Sequence, residues 1–384
     1  MNRVAAGVAI SAAIVLAALL IVIVLRPGAV PAPGASPSAA PSSASPRPSA
    51  SAAATAGTSP AATASAAANV LDDRFGFMVQ TAATKWYVRS ETRADPIAEF
   101  DGYGFAVSPD GMRLAYWRTP SGGGIPALDV YALGPKTART LLALTTGQSG
   151  GGIAWSSDGT GLAVAITTGN PGAVGGGTGS SALVTVDVAA TTRAQIAERS
   201  DGRVYWPLAW DRGAKLVAAG ETGEGGFMSA YLTYDVSTTP AKARTVPVTE
   251  RITISSVKAS SDQRWVLGSP IDAPFTIRWW PIDDYSPGKY VPVPGGPGAA
   301  WRPGTTRFGL VGGDELSLYD VTTGQRTTVV GGVSGQHVFA FRPDGSAAIV
   351  AAQSAGDATV IDIATGRSAP VRSLGGIGPW VRLR

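Results

Sequence analysis

A hairpin phrase that recurs along the chain constrains the fold more than any other feature. It reads Phe105-Ala-Val-Ser108-Pro109-Asp110-Gly111 and continues Met112-Arg-Leu-Ala-Tyr116. Two apolar strands are joined by a turn with readable chemistry: Pro109 presets φ, Asp110 can bond its own backbone, and Gly111 tolerates φ > 0.

The phrase returns as Gly152-Ile-Ala-Trp155-Ser-Ser-Asp158-Gly159, as Pro207-Leu-Ala-Trp210-Asp211-Arg-Gly213, and as Ser256-Val-Lys-Ala259-Ser-Ser-Asp262, which lacks both Pro and Gly. It returns again as Ala299-Ala-Trp301-Arg-Pro303-Gly304 and Val338-Phe-Ala-Phe341-Arg-Pro343-Asp344-Gly345. A second phrase, a strand ending in Asp before a Thr- or Gly-bearing turn, follows at Asp187, Asp235, Asp320 and Asp362. Each unit thus supplies four strands and two hairpins, the content of one propeller blade. Anchored on Val107, Trp155, Trp210, Ala259, Trp301, Phe341 and Trp380, the intervals are 48, 55, 49, 42, 40 and 39 residues, each one four-stranded unit long.

The last copy stops at Arg384, and the strands it lacks are available in Phe75–Val79 and Lys85–Val88. The expectation is an all-β, seven-bladed β-propeller over residues 70–384, closed by pairing of its first and last segments so that no long edge is left open. Six blades are the fallback. The aromatics at the repeat anchor predict packing between neighbouring sheets.

The Phe-x-x-Ser-Pro-Asp-Gly phrase with the Asp-x-x-Thr-Gly strand ending resembles the propeller repeats of the TolB carboxy-terminal domain, divergent relatives of WD repeats. The resemblance spans about residues 100–384 and is strongest in the first, second and sixth copies. It implies the fold, and among functions it allows partner binding, substrate filtering on peptidases and sensing.

Ahead of the repeats, Met1–Arg3 is a short tail and residues 4–25 are an apolar run long enough for a hydrocarbon core of about 30 Å. An uncleaved signal anchor is expected, with a cleaved signal peptide as the competitor. Residues 26–69, almost all Ala, Pro, Ser and Thr, cannot build a core and read as a disordered stalk. The expected arrangement is single-pass in the cell membrane with the propeller extracytoplasmic. Three of the 31 basic residues, Arg3, Arg26 and Arg47, lie in residues 1–69 and none of the 27 acidic ones does, leaving 28 against 27 in the remainder. A near-neutral folded part has no electrostatic footprint for nucleic acid.

Zero cysteines exclude disulfides and thiolate chemistry. The single histidine, His337, cannot form a multi-histidine metal site; it is expected at a strand end, with ligand contact open if it lines the channel. No metal and no cofactor are expected. Gly147-Gln-Ser149-Gly-Gly151 matches the nucleophile-elbow pattern, but the elbow needs a helix after the serine, and the stretch is read as an inter-blade loop. Asn170 to Ser181, rich in glycine, is read as a hairpin tip.

One connection departs from the repeat: Arg278-Trp279-Trp280-Pro281-Ile-Asp283-Asp284-Tyr285 to Tyr290. Both faces of a propeller sheet are covered, so burial of Trp279 and Trp280 is the default; if the loop is exposed, Trp280, Asp283, Asp284, Tyr285 and Tyr290 are the candidate contact surface, since aromatic loops on a rigid scaffold carry binding. The reading is a non-enzymatic module binding a protein, peptide or glycan; the alternative is a hydrolase or lyase using carboxylates in the central channel.

Overall fold

In the computed structural model the described residues are 70–384, apart from 120–123, 172–177, 223, 274, 287–288, 294–297, 334–335, 353–356 and 373–375. The expected membrane segment and stalk therefore lie outside the described residues, among which no helix is long and apolar enough to cross a membrane.

The alternating apolar runs form twenty-seven strands and two short 3-10 turns. Five antiparallel four-stranded sheets follow one another over residues 148–199, 204–247, 258–292, 299–331 and 336–372, their strands in sequence order. The sixth sheet has seven strands, running Gly376–Arg382, Phe75–Gln80, Lys85–Ser90, Pro96–Val107, Arg113–Arg118, Ala127–Ala132 and Thr137–Ala143. Its twelve-residue strand serves two partners: Pro96 to Asp101 pairs with Lys85–Ser90, and Gly102 to Val107 with Arg113–Arg118. Divided there, it holds two further four-stranded groups.

The pairing expected between the ends is present. Trp380 lies opposite Phe77, and Val381 opposite Gly76. The first strands of successive groups also touch in order. Pro96–Val107 meets Gln148–Trp155, which meets Val204–Asp211, then Lys258–Ala259, Ala299–Trp301, Gln336–Phe341 and Gly376–Arg382, and this last strand meets Pro96–Val107.

The turn chemistry repeats as the sequence implies. Ser108 Oγ donates to Asp110 Oδ1 at 2.5 Å and accepts the Arg113 amide at 2.9 Å. Ser156 and Asp158 do the same at 2.6 Å, with the Gly161 amide on Ser156 Oγ at 2.8 Å. Gly111 and Gly159 sit at φ 76° and 68°, where a Cβ is strained. The fourth copy, without its glycine, puts Gln263 at φ 59° instead. Its side chain offsets the strain: Nε2 donates to the Ser260 carbonyl at 2.9 Å, and Oε1 accepts the Trp210 amide of the preceding group at 3.2 Å.

Sheet-to-sheet packing rests on the anchor aromatics, all buried. Trp155 Nε1 donates to the Ala106 carbonyl at 3.0 Å and Trp301 Nε1 to the Lys258 carbonyl at 2.9 Å, each reaching into the preceding group. Trp117 reaches the other way, donating to the Gly151 carbonyl at 2.8 Å. A Cβ on Gly150 would stand 2.0 Å from the Trp117 ring. This corrects the sequence reading of that stretch as a loop: Ser149 lies in strand Gln148–Trp155, bonded to Thr167 Oγ1 at 2.6 Å, and the glycines clear room for an indole.

The amino-terminal segment is fastened by charge. Glu91, whose side chain is wholly enclosed, pairs with Arg342, with Nε to Oε1 at 2.8 Å and a second contact through the other guanidinium nitrogen. The Asp72 amide donates to Glu91 at 2.9 Å, and the Arg342 guanidinium lies over the rings of Phe75 and Trp380.

Three outcomes follow for stability, each read from denaturant or thermal melts. Gly150→Ala forces a methyl into Trp117 and is expected to cost about 1–3 kcal/mol. Arg342→Met strands the enclosed Glu91 carboxylate and is expected to cost about 3–5 kcal/mol; a near-neutral result would show that the pair does not hold the segment. Burial would raise the Asp110 and Asp158 carboxyls, but the Ser108 and Ser156 hydroxyls and the Met112 and Thr160 amides outweigh it and hold both below the ordinary range. A depressed folded pKa contributes stability that is present above the unfolded value of about 3.9 and is lost as pH falls through the folded one. The melting temperature is therefore expected to fall in acid below about pH 4, and less so in an Asp110→Asn, Asp158→Asn variant.

Candidate functional site

The departing connection grows from strand Thr276–Pro281, which pairs Val266 with Trp280, Leu267 with Trp279, and Arg278 with Tyr290. Strand alternation sends the adjacent indoles to opposite faces. Trp279 packs with Leu267, Trp301 and Phe308, and Trp280 with Tyr231, Ile252 and Ile282. Trp280 is fully buried and Tyr285 folds back beside it, with ring centroids 5.0 Å apart at 73°. Tyr231 completes the cluster at 5.9 Å from Trp280 and 5.8 Å from Tyr285, and its hydroxyl donates to the Ile282 carbonyl at 2.8 Å. Burial, with the nearby Glu250 charge adding to it, pushes the Tyr285 hydroxyl up to about 12.

Trp280, for which burial is the default, and Tyr285, singled out for the contact surface, both form the buried root of the loop, because rings this large bury more area inward than a surface can use. Asp283, Asp284 and Tyr290 remain on the exterior. Asp284 pairs with Arg244 at 2.9 Å, and Arg244 also donates to the Asp283 carbonyl at 3.0 Å, which ties the tip to strand Lys242–Pro247 of the preceding group. Tyr290 is 56% exposed, yet the Arg278 guanidinium sits 5.4 Å from its ring centroid and pairs with Glu250 at 2.5 Å. The acidic tip and the exposed phenol therefore stand on one rigid base. His337 lies in strand Gln336–Phe341 opposite Ala351, away from this loop in sequence; its side chain lies outside the described residues.

A cavity of about 590 Å³ is lined by the first strands of all seven groups, including Ala106, Ala154, Pro207, Lys258, Ala300, Ala340 and Pro379. Among its described lining residues Lys258 is the one ionisable side chain. Sequence reasoning passed over it. The signal was there: the residue before each repeat anchor is Ala106, Ala154, Ala209, Ala300, Ala340 or Pro379, and in the fourth copy it is Lys258. No group of three or more His, Cys, Asp or Glu placed to hold a metal occurs among the described residues.

No family model matches the sequence, and no curated protein does. Among solved structures the chain is similar to TolB from Acinetobacter baumannii at 12% identity, covering 81% of this chain and 67% of that one, with a TM-score of 0.43. It is similar to the dihydro-heme d1 dehydrogenase NirN in complex with DHE at 13% identity, covering 81% and 75%, with a TM-score of 0.48. It is also similar to an oligogalacturonate lyase from Vibrio parahaemolyticus at 12% identity, covering 74% and 82%, with a TM-score of 0.46. Two of the three carry enzymes' names, and likeness at this level assigns none of their activities to this chain.

The rigid base has a measurable consequence. Tyr285→Ala removes a buried ring from the Tyr231–Trp280 cluster and is expected to cost about 3–5 kcal/mol in a denaturant melt, whereas Tyr290→Ala, out in solvent, is expected to stay within about 0.5 kcal/mol. Equal effects would overturn the division between root and tip.

Proposed function

We propose that this chain is a membrane-tethered, single-pass protein whose extracytoplasmic part, residues 70–384, is a seven-bladed β-propeller of TolB-like repeats that binds a protein, peptide or glycan partner. The blade count is supported by the seven four-stranded groups and by the order in which their first strands touch, which returns from Gly376–Arg382 to Pro96–Val107. Tethering and orientation are supported by the apolar run 4–25 and the Ala/Pro/Ser/Thr stalk that follows it.

The observation that carries the binding reading is the connection after strand Thr276–Pro281, where the exposed Asp283 and Asp284 stand beside the buried Trp280 and Tyr285. A loop already fixed in place loses little conformational freedom when a partner docks, which is what makes a preorganised surface effective. Asp283 and Asp284 give it two exposed carboxylates, the second paired with Arg244, and Tyr290 adds a flat amphipathic ring of the kind enriched at binding surfaces. The competing reading, a hydrolase or lyase working through channel carboxylates, needs two acids about 5 to 9.5 Å apart. The described lining of the cavity supplies none, so binding is the reading taken.

Deleting the whole loop would strip Tyr285 from the core, so the test uses surface substitutions. Crosslinking on native membranes, followed by partner identification, is expected to capture a partner with the wild-type chain and to lose it with Asp283→Ala, Tyr290→Ala, while the melting transition stays in place. Capture unchanged by the double variant would reject the loop as the contact surface. Protease added to intact cells is expected to degrade residues 70–384; full protection would overturn the orientation.

A further inference from the structure

Of the seven residues that precede the repeat anchors, six are Ala or Pro; Ala106, Ala154, Ala300, Ala340, Pro379 and Lys258 line the cavity, and Ala209 is buried in the core with Pro207 at the wall in its place. Lys258 breaks that pattern where the fold has no need of it, since the six small residues show what packing alone selects. Its side chain is reached by solvent through the cavity. The ammonium donates to the Ala299 carbonyl at 3.1 Å, which occupies one of its three donors. Among the described residues no carboxylate forms an ion pair with it.

The other polar groups of the wall are already committed. Ser108 and Ser260 donate to Asp110 and Asp262, both at 2.5 Å, and each accepts a backbone amide. Ser261 Oγ accepts the Gly304 amide at 3.1 Å, and Gln263 is used at both ends of its amide. Backbone polar groups make up much of the rest of the lining, beside Phe105, Trp206 and small apolar residues, while the bordering Trp155, Trp301, Phe341 and Trp380 are buried between the sheets. A volume of about 590 Å³ lies within the range of small-molecule sites.

We propose that this cavity is a binding site for a small organic monoanion, a carboxylic acid with a flat or aliphatic body, whose carboxylate pairs with Lys258 while the body lies within the cavity. A single cation matches a single negative charge, because the second charge of a phosphate-type dianion would meet no other cation among the described lining residues. This site is separate from the exterior loop, and either can fail without the other.

The probes are benzoate and its uncharged near-isostere benzamide, titrated against the purified full-length chain in detergent with tryptophan fluorescence as the readout. Benzoate is expected to bind saturably and at least about tenfold more tightly than benzamide, the increment of one charge-assisted hydrogen bond. Lys258→Met is expected to abolish that preference, with circular dichroism and the melting transition unchanged. Equal binding of the two probes, a preference that survives in Lys258→Met, or no saturable binding of benzoate would each overturn the proposal. Should Lys258→Met fail to fold, reductive methylation of the wild-type chain gives the second reading: benzoate is expected to slow modification of Lys258 and benzamide is not, and equal rates would overturn it.

Discussion

Everything in residues 70–384 depends on the hydrogen-bonded ladder between the last strand and the first. Gly376–Arg382 pairs with Phe75–Gln80, about 300 residues away, across a separation whose closure carries an entropic cost no local preference can offset. Without it two strand edges would stand open, with unpaired amides and carbonyls ready to template aggregation. The ladder does not act alone. Arg342, at the end of the neighbouring group's first strand, holds Glu91 through its guanidinium and lies over Phe75 and Trp380, so the two ends and the adjacent sheet share one buried junction.

Away from that junction, two devices recur at some of the places where neighbouring sheets meet. An indole donates to a backbone carbonyl across the gap, as Trp155 does to Ala106 and Trp301 to Lys258. A glycine clears the approach, as Gly150 does beneath Trp117. Because these joints satisfy the buried indole nitrogen as well as its area, they set the angle and distance of the sheets together. A scaffold fixed in this way can hold an irregular loop at its rim and an irregular side chain in its middle, and both departures from the repeat fall in the fourth group.

Much of the architecture was legible because repetition exposes it. The Ser-x-Asp turns, the strand-ending aspartates and the anchor aromatics each stand at the same place in successive units, and the pairing of the two ends followed from a last unit with strands missing. The contact loop was less legible. Sequence marks Trp280, Asp283, Asp284, Tyr285 and Tyr290 as unusual, but which of them face water depends on whether Tyr231, from another sheet, offers a surface for Trp280 and Tyr285 to pack against. That partner lies 49 residues before Trp280, beyond any local pattern. The Gly-x-Ser-x-Gly stretch misled for the same reason: its glycines answer to Trp117, a neighbour only in space.

What sequence alone determined is the strand-and-turn content of the unit and how often it recurs, because hairpin chemistry and period-two alternation are properties of a few adjacent residues. It also carried, unread, the exchange of alanine for lysine at position 258. Only the tertiary structure decided that six of these units' first strands and the final strand face a common cavity, that Lys258 is the one ionisable side chain among the described residues lining it, and that two of the five singled-out loop residues turn inward. Burial and charge pairing are set by residues that approach from other sheets, and their identity at a given point emerges only when the units are brought together.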